Sequence, residues 1–222
     1  MTLKMLVFIR PGETDWNRSE RWQGWVAVPL NERGREQAHR LASFVRTLGI
    51  SALYTSDLRR AEQTAQIIGE ALGLQPKSDE RLRERNIGAW QGLTHAEVVS
   101  WYEDQYLRLR EDPEGYVIPG GESRAQVAER VRAFFAELMA QDVGEVVCVV
   151  SHTLAIHTIL SDLVAGYDMY KYSLPNISVT TIRRADENSP WQLTMIGDVT
   201  HLEGIPSLVS IDDAVRERSH GV

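Results

Sequence analysis

The chain has a single cysteine, Cys148, which excludes an intramolecular disulfide and a cysteine zinc site. It lies within Val146-Val147-Cys148-Val149-Val150, a run that reads as a buried strand, so its expected role is packing. Long apolar runs are also missing. No stretch approaches the roughly 20 residues a membrane helix needs. The first apolar segment, Met5–Ile9, is too short for a signal-peptide core and runs straight into charge. A cytoplasmic protein without a membrane partner is expected. Basic excess is lacking too: 24 Lys+Arg against 31 Asp+Glu give a formal net charge of -7, which argues against a nucleic-acid partner. That balance still permits a small anion, because a few clustered arginines bind phosphate within an acidic chain. Repeats, low-complexity blocks and linkers are absent as well. The 222 residues therefore read as one domain, 1–203, and a polar, partly acidic tail, 204–222.

What is present is alternation. Met5–Ile9 reads as a strand buried on both faces. Residues 31–48 turn helical, with Ala38, Leu41, Ala42, Val45 and Leu48 on one face and Gly49 as the stop. A strand at 52–55 follows, then a helix capped by Ser56 or Asp57 and closed by Gly73. Further helices are expected at 94–110, 123–140 and 153–165, and strands at 146–150, 177–182 and 192–196. This order implies an α/β three-layer sandwich, a mostly parallel central sheet with helices on both faces. The strand at 177–182 reads as an edge that could pair across a homodimer.

In such sheets, ligands bind beyond the carboxyl ends of the strands. Three segments sit there: Arg10 to Asn17, Ser56 to Ala61, and Ser151-His152-Thr153. Arginine gives permanent, bidentate contacts to phosphate oxygens, and a histidine there can donate a hydrogen bond or move a proton. Singly, each has a bland reading as an ion-paired arginine or a structural histidine. Together, at the ends of three strands, they favour a pocket for a small phosphate monoester.

Arg10-Pro11-Gly12-Glu13-Thr14-Asp15-Trp16-Asn17 resembles the Arg-His-Gly-Glu-Thr signature of the histidine phosphatase (phosphoglycerate mutase-like) superfamily. The resemblance continues through Ser56-Asp57-Leu58-Arg59-Arg60-Ala61, Leu82-Arg83-Glu84 with Gly88-Ala89-Trp90-Gln91-Gly92, Pro119-Gly120-Gly121-Glu122-Ser123, Ser151-His152 and Asn176-Ile177-Ser178. It implies that Arg10 and Arg60 hold the phosphoryl group and that Asn17 hydrogen-bonds it. It also implies that Glu84 protonates the leaving oxygen and that His152 binds and stabilises the transferring phosphoryl. A small phosphorylated metabolite or inorganic phosphate is the implied partner, with no cofactor. No metal is expected either: His152 and His157 lie five apart, about 140° around a helix axis, and lack a third ligand.

One residue departs from the pattern at its centre. Pro11 stands where the family's histidine accepts the phosphoryl group. Proline has no lone pair free to attack phosphorus, so covalent catalysis through this position is lost, while its backbone preference suits the end of a strand. Ala27, Thr153-Leu154 and His157 replace a frequent aspartate, glycine pair and arginine, which favours divergence over an isolated change. The mutases of this family carry a long insertion that is short and helical here, which favours the phosphatase branch. Trp101, Tyr102, Tyr106 and Leu109 form its apolar face, read first as core packing and second as a lid. Three functions follow for comparison. The first is a phosphate-monoester-binding protein with impaired or absent hydrolysis, a sensor or regulator. The second is an active phosphatase or mutase-like enzyme using another nucleophile or direct water attack with Glu84 and His152. The third is a non-catalytic interaction module, disfavoured by retention of Arg10, Asn17, Arg60, Glu84 and His152 together.

Overall fold

The computed structural model describes residues 2–203. Strands β1 (Met5–Ile9), β2 (Ala52–Thr55), β3 (Lys77–Ser78), β4 (Val146–Val150), β5 (Val179–Arg183) and β6 (Gln192–Asp198) form one sheet in the order β3-β2-β4-β1-β5-β6. The pairings β3-β2, β2-β4 and β4-β1 are parallel, and β1-β5 and β5-β6 are antiparallel. On one face, Leu6, Phe8, Val147 and Val149 meet Val131, Phe135, Ile156 and Leu160 from helices α6 (Arg124–Met139) and α7 (Thr153–Leu163). On the other, Val7, Ile9, Cys148 and Val150 meet Leu41, Val45, Ala65 and Ile68 from α2 (Glu32–Val45) and α3 (Arg59–Leu72). Both faces of β1 and β4 are covered, which is why these strands are continuous apolar runs. The three-layer α/β sandwich is present as expected, and Cys148 is buried in it.

Several local expectations need correction. The strand expected at 177–182 is β5, and it is not an edge: β6 covers its outer side and β1 its inner side. The sheet edges among the described residues are β3, a two-residue strand too polar to be seen in the sequence, and β6. The helix expected at 94–110 is two, α4 (His95–Trp101) and α5 (Glu103–Glu111), broken where Tyr102 leaves helical geometry at φ -131, ψ 35. Tyr102, Tyr106 and Leu109 pack against the buried Trp90, Val98 and Ile118. Trp101 does not join them and is 63% exposed. Core packing thus accounts for those three side chains, and none of the four lines the pocket described below. Helix α3 is not capped by Ser56 or Asp57; Leu58 is its N-cap and makes no side-chain cap. Ser56 Oγ accepts the Leu58 N–H at 3.2 Å, and Asp57 accepts Arg83 Nε at 2.7 Å. Both side chains are engaged elsewhere. The tail, 204–222, lies outside the described residues.

A short helix that the sequence pattern did not announce, α1 (Asp15–Arg18), opens on a capping box between Thr14 and Asn17. The loop before it lies backbone to backbone against the first turn of α2. A Cβ at Gly34 would come within 2.1 Å of Glu13 O, and one at Gly12 within 2.6 Å of Gly34 O. Neither neighbour is a flexible side-chain tip, so the backbone itself would have to move. Gly34→Ala is expected to cost about 3 kcal/mol through overpacking, measured by denaturant unfolding with unchanged m-value. A loss within the scatter of surface substitutions would mean the loop is not held by this contact.

Candidate active site

Strands β2, β4 and β1 are parallel neighbours whose last residues lie level, Ile9 and Thr55 both opposite Val150. The chain therefore delivers Arg10, Ser56 and Ser151-His152 to one rim, and α3 adds Arg60 from its first turn. Arg10 is buried and donates Nη1–H to Leu174 O at 2.6 Å. Buried Arg60 donates to Gly24 O at 2.9 Å and Val26 O at 3.2 Å, which ties the 24–26 loop to the site. Asn17 Oδ1 accepts from Thr14 N at 3.0 Å and Thr14 Oγ1 at 2.9 Å. With its oxygen engaged in the cap, the amide NH2 is the group Asn17 offers the pocket it lines.

Pro11 is buried and lines the same pocket. Its carbonyl accepts Asn176 Nδ2 at 2.9 Å and the Ile177 N–H at 3.2 Å, and that N–H also reaches Arg10 O at 3.0 Å. Ile177 makes this clamp at φ 64, a left-handed conformation costly for a β-branched residue. Such strain persists only where surrounding structure enforces it, and it concentrates at functional sites. The sequence gives no periodic signal for this clamp; only the resemblance of the 176–178 segment pointed there.

Glu84 faces the start of α7. Its Oε1 accepts the Arg85 N–H at 2.7 Å and its Oε2 accepts the Leu154 N–H at 3.2 Å, within the helix's first turn. A carboxylate at a helix N-terminus is favoured by the macrodipole. His152 is the N-cap residue of α7 but caps nothing with its side chain; its Nε2 hydrogen-bonds Ser56 Oγ at 2.9 Å. Burial, then the charges of Arg60, Arg10 and Arg130, hold this imidazole well below the usual histidine value of 6.5. Burial also pushes the Arg60 guanidinium down to about 10, opposed by Glu84 and reinforced by Arg10, so it stays charged at neutral pH.

The sign of the His152 effect on stability follows from proton counting. Between the depressed folded value and 6.5, the unfolded chain binds more protons than the folded one, so stability rises with pH across that window. Without bound anion, Tm is expected to fall as pH drops below 6.5, and His152→Gln is expected to flatten the fall. Matching Tm profiles for the two proteins would count against a buried neutral imidazole.

These side chains share one cavity of about 410 Å³. Arg10, Pro11, Asn17, Arg60, Glu84 and His152, all named from the sequence, line it together. Thr153, Leu154 and His157 line it as well, and His157 Nδ1 hydrogen-bonds the Tyr167 hydroxyl at 2.7 Å. The sequence missed other lining residues: Arg21, Trp22, Arg85, Ile87, Arg124, Met169 and Tyr170. These come from loops and helix ends far apart in the chain, so no local pattern groups them. Among the described residues no set of three or more His, Cys, Asp or Glu side chains is placed to hold a metal ion. One cavity thus gathers two buried guanidinium groups, an amide, an imidazole held neutral by burial, and a carboxylate. Such a set of groups suits a tetrahedral dianion.

Comparison with known proteins gives the family and the fold. The sequence model of the histidine phosphatase superfamily (branch 1) matches residues 6–198. The "probable phosphoglycerate mutase GpmB" of Yersinia enterocolitica is 35% identical over 205 residues, covering 90% of this chain and 95% of that relative. A mycobacterial glucosyl-3-phosphoglycerate phosphatase complexed with VO3 is 34% identical with a TM-score of 0.78, covering 88% of this chain and 100% of the other. A histidine-to-alanine mutant of Entamoeba histolytica phosphoserine phosphatase, in complex with phosphoserine, is 27% identical with a TM-score of 0.77. That alignment covers 91% of this chain and all (100%) of the other.

Proposed function

Because the chain belongs to the histidine phosphatase superfamily, we propose that it binds a small phosphate monoester in this pocket and hydrolyses it very slowly or not at all. The observation that carries the reading is Pro11 lining the pocket among Arg10, Arg60, Asn17, Glu84 and His152. The binding groups and the acid are retained, and the phosphoryl acceptor is gone. Positioned charge still stabilises a transferring phosphoryl, but without a nucleophile there is no phosphohistidine to divide the reaction into two easier steps. In the rescue by direct water attack, Glu84 and His152 remain as acid and stabiliser, and only residual turnover is expected.

A phosphatase descent fits better than a mutase one, because α4 and α5 are the only helices between Gly92 and Glu122 and they pack on the Trp90 cluster. The relatives support a phosphorylated metabolite as ligand class: one is solved with VO3, and another holds phosphoserine although a histidine has been replaced by alanine. Glu84 and His152 are thus the remaining catalytic groups, and Arg10, Asn17, Arg60 and His152 the phosphate-binding set. No helix among the described residues is long and apolar enough to cross a membrane.

The direct test is a thermal shift with phosphate and vanadate alongside phosphate release from a monoester panel. A rise in apparent Tm at millimolar anion, with release barely above the uncatalysed rate, is expected. Turnover near that of an ordinary family member would overturn the impaired-catalysis reading. No shift with either anion would favour a vestigial pocket.

A further inference from the structure

Glu84 is carried by irregular backbone. One 3-10 turn, Glu80–Leu82, ends just before it, and residues 83–87 belong to no helix or strand. With no ladder of its own, such a stretch must find partners for its backbone groups elsewhere. Arg130 of α6 supplies most of them. Its Nη1 donates to Arg81 O at 2.8 Å and Arg83 O at 2.6 Å, and its Nη2 to Glu84 O at 2.9 Å. Ser151 Oγ donates to Leu82 O at 2.8 Å, and Trp25 Nε1 adds a second bond to Glu84 O at 2.6 Å.

The rest of the Arg130 guanidinium goes to Glu122. Nε reaches Oε1 at 2.9 Å and Nη2 reaches Oε2 at 3.0 Å, so five bonds use the five N–H groups an arginine side chain has. Glu122 Oε2 also accepts the Asn86 N–H at 2.8 Å. The pair therefore holds the backbone on both sides of Glu84, by carbonyls up to it and an amide after it. From that fixed backbone the Glu84 carboxyl reaches the Leu154 N–H at the start of α7, 3.2 Å away. The Arg130 and Glu122 side chains are each 16% exposed, and neither lines the cavity. An ion pair so far from water adds little net stability, because desolvation offsets its attraction. The planar fork of arginine adds direction instead.

We propose that Arg130, braced by Glu122, is a positioning residue for the acid: it sets where the Glu84 carboxyl stands without touching the ligand. The proposal rests on the reading of Glu84 as proton donor given above. When the P–O bond to the organic group breaks, its electron pair stays on that oxygen, and the Glu84 proton goes to it. Placement of the donor then matters in proportion to the basicity of the leaving oxygen. An alkoxide needs the proton, whereas a nitrophenolate leaves without it.

The test combines two readings. One is turnover in the Pro11→His background with an alkyl phosphate and with 4-nitrophenyl phosphate. The other is hydrogen exchange at the Leu154 amide of the natural chain, against the Ile156 amide as reference, which is bonded to His152 O at 2.8 Å. Arg130→Met is expected to lower kcat on the alkyl phosphate about 100-fold and on 4-nitrophenyl phosphate less than about three-fold. Arg130→Lys, which keeps the charge but not the fork, is expected to recover part of the alkyl turnover. In Arg130→Met, Leu154 is expected to exchange about ten-fold faster relative to Ile156. Should Arg130→Met not fold, Glu122→Gln keeps the shape, breaks the ion pair and is expected to move both readings the same way. An equal fall on both phosphates would overturn the proposal, since a pair that only held the fold would cost both alike. Unchanged Leu154 exchange in the folded variant would overturn it too. Glu84→Gln separates the two levels: if it leaves alkyl phosphate turnover intact, the acid reading itself fails. If Pro11→His yields no turnover, the exchange at Leu154 decides.

Discussion

Replacing Pro11 by histidine is expected to raise phosphatase turnover by about 10⁶-fold, the scale on which loss of a nucleophile disables a hydrolase whose positioned groups remain. The backbone is prepared for the change. The bonds from Asn176 Nδ2 and the Ile177 N–H are made to the carbonyl of residue 11 and not to its side chain. The extended geometry that proline imposes on Arg10 is one a residue leaving a strand already has. A histidine here would face the same cavity as both arginines, Asn17, Glu84 and His152. Phosphate release from a broad monoester panel, natural chain against variant, measures the effect. Activity in the variant alone would show an intact pocket disabled at one position, and its best substrate would identify the ligand class of the natural form. Equal activity in both would mean that another nucleophile operates. Inactivity in both would place the defect beyond residue 11, with Thr153-Leu154 and His157 the next positions to revert.

The second large effect is expected on binding. Arg60→Met should weaken phosphate affinity by at least about 100-fold, since a buried charge partner is worth several kcal/mol once its counterpart is desolvated. Arg60 is a sensitive position because it acts twice. Its guanidinium lines the cavity, and the same group holds Gly24 O and Val26 O. Arg60→Lys keeps the charge but loses the planar fork, so an intermediate loss of about ten-fold is expected. Titration calorimetry with phosphate and vanadate reads both variants, and thermal melts separate lost binding from lost folding. Unchanged affinity in a folded Arg60→Met protein would show that the anion sits elsewhere.

Residues whose meaning is local were legible in the sequence. The apolar runs of β1 and β4 named the central strands, the Gly49 and Gly73 stops ended their helical segments, and Arg10, Arg60 and His152 stood where strand ends and helix starts place ligands. Where a short-range rule had a long-range competitor, the rule failed. Ser56 could have capped α3, but it hydrogen-bonds His152 and accepts the Leu58 N–H instead. The 94–110 segment could have been one helix, but it breaks at Tyr102 and packs Tyr106 and Leu109 on Trp90.

The sequence by itself determined the class of fold, because strands alternating with helices leave a mostly parallel sheet covered on both faces. The proposed phosphate-binding set and the position of Pro11 were legible there only through the resemblance to the family. Only the tertiary structure decided that β5 is an interior strand, since a sheet's edge depends on which strand lies beside it and not on any strand's own residues. It alone brought Arg21, Arg85, Arg124, Met169 and Tyr170 to one cavity, because residues joined through loops of unrelated length share no period.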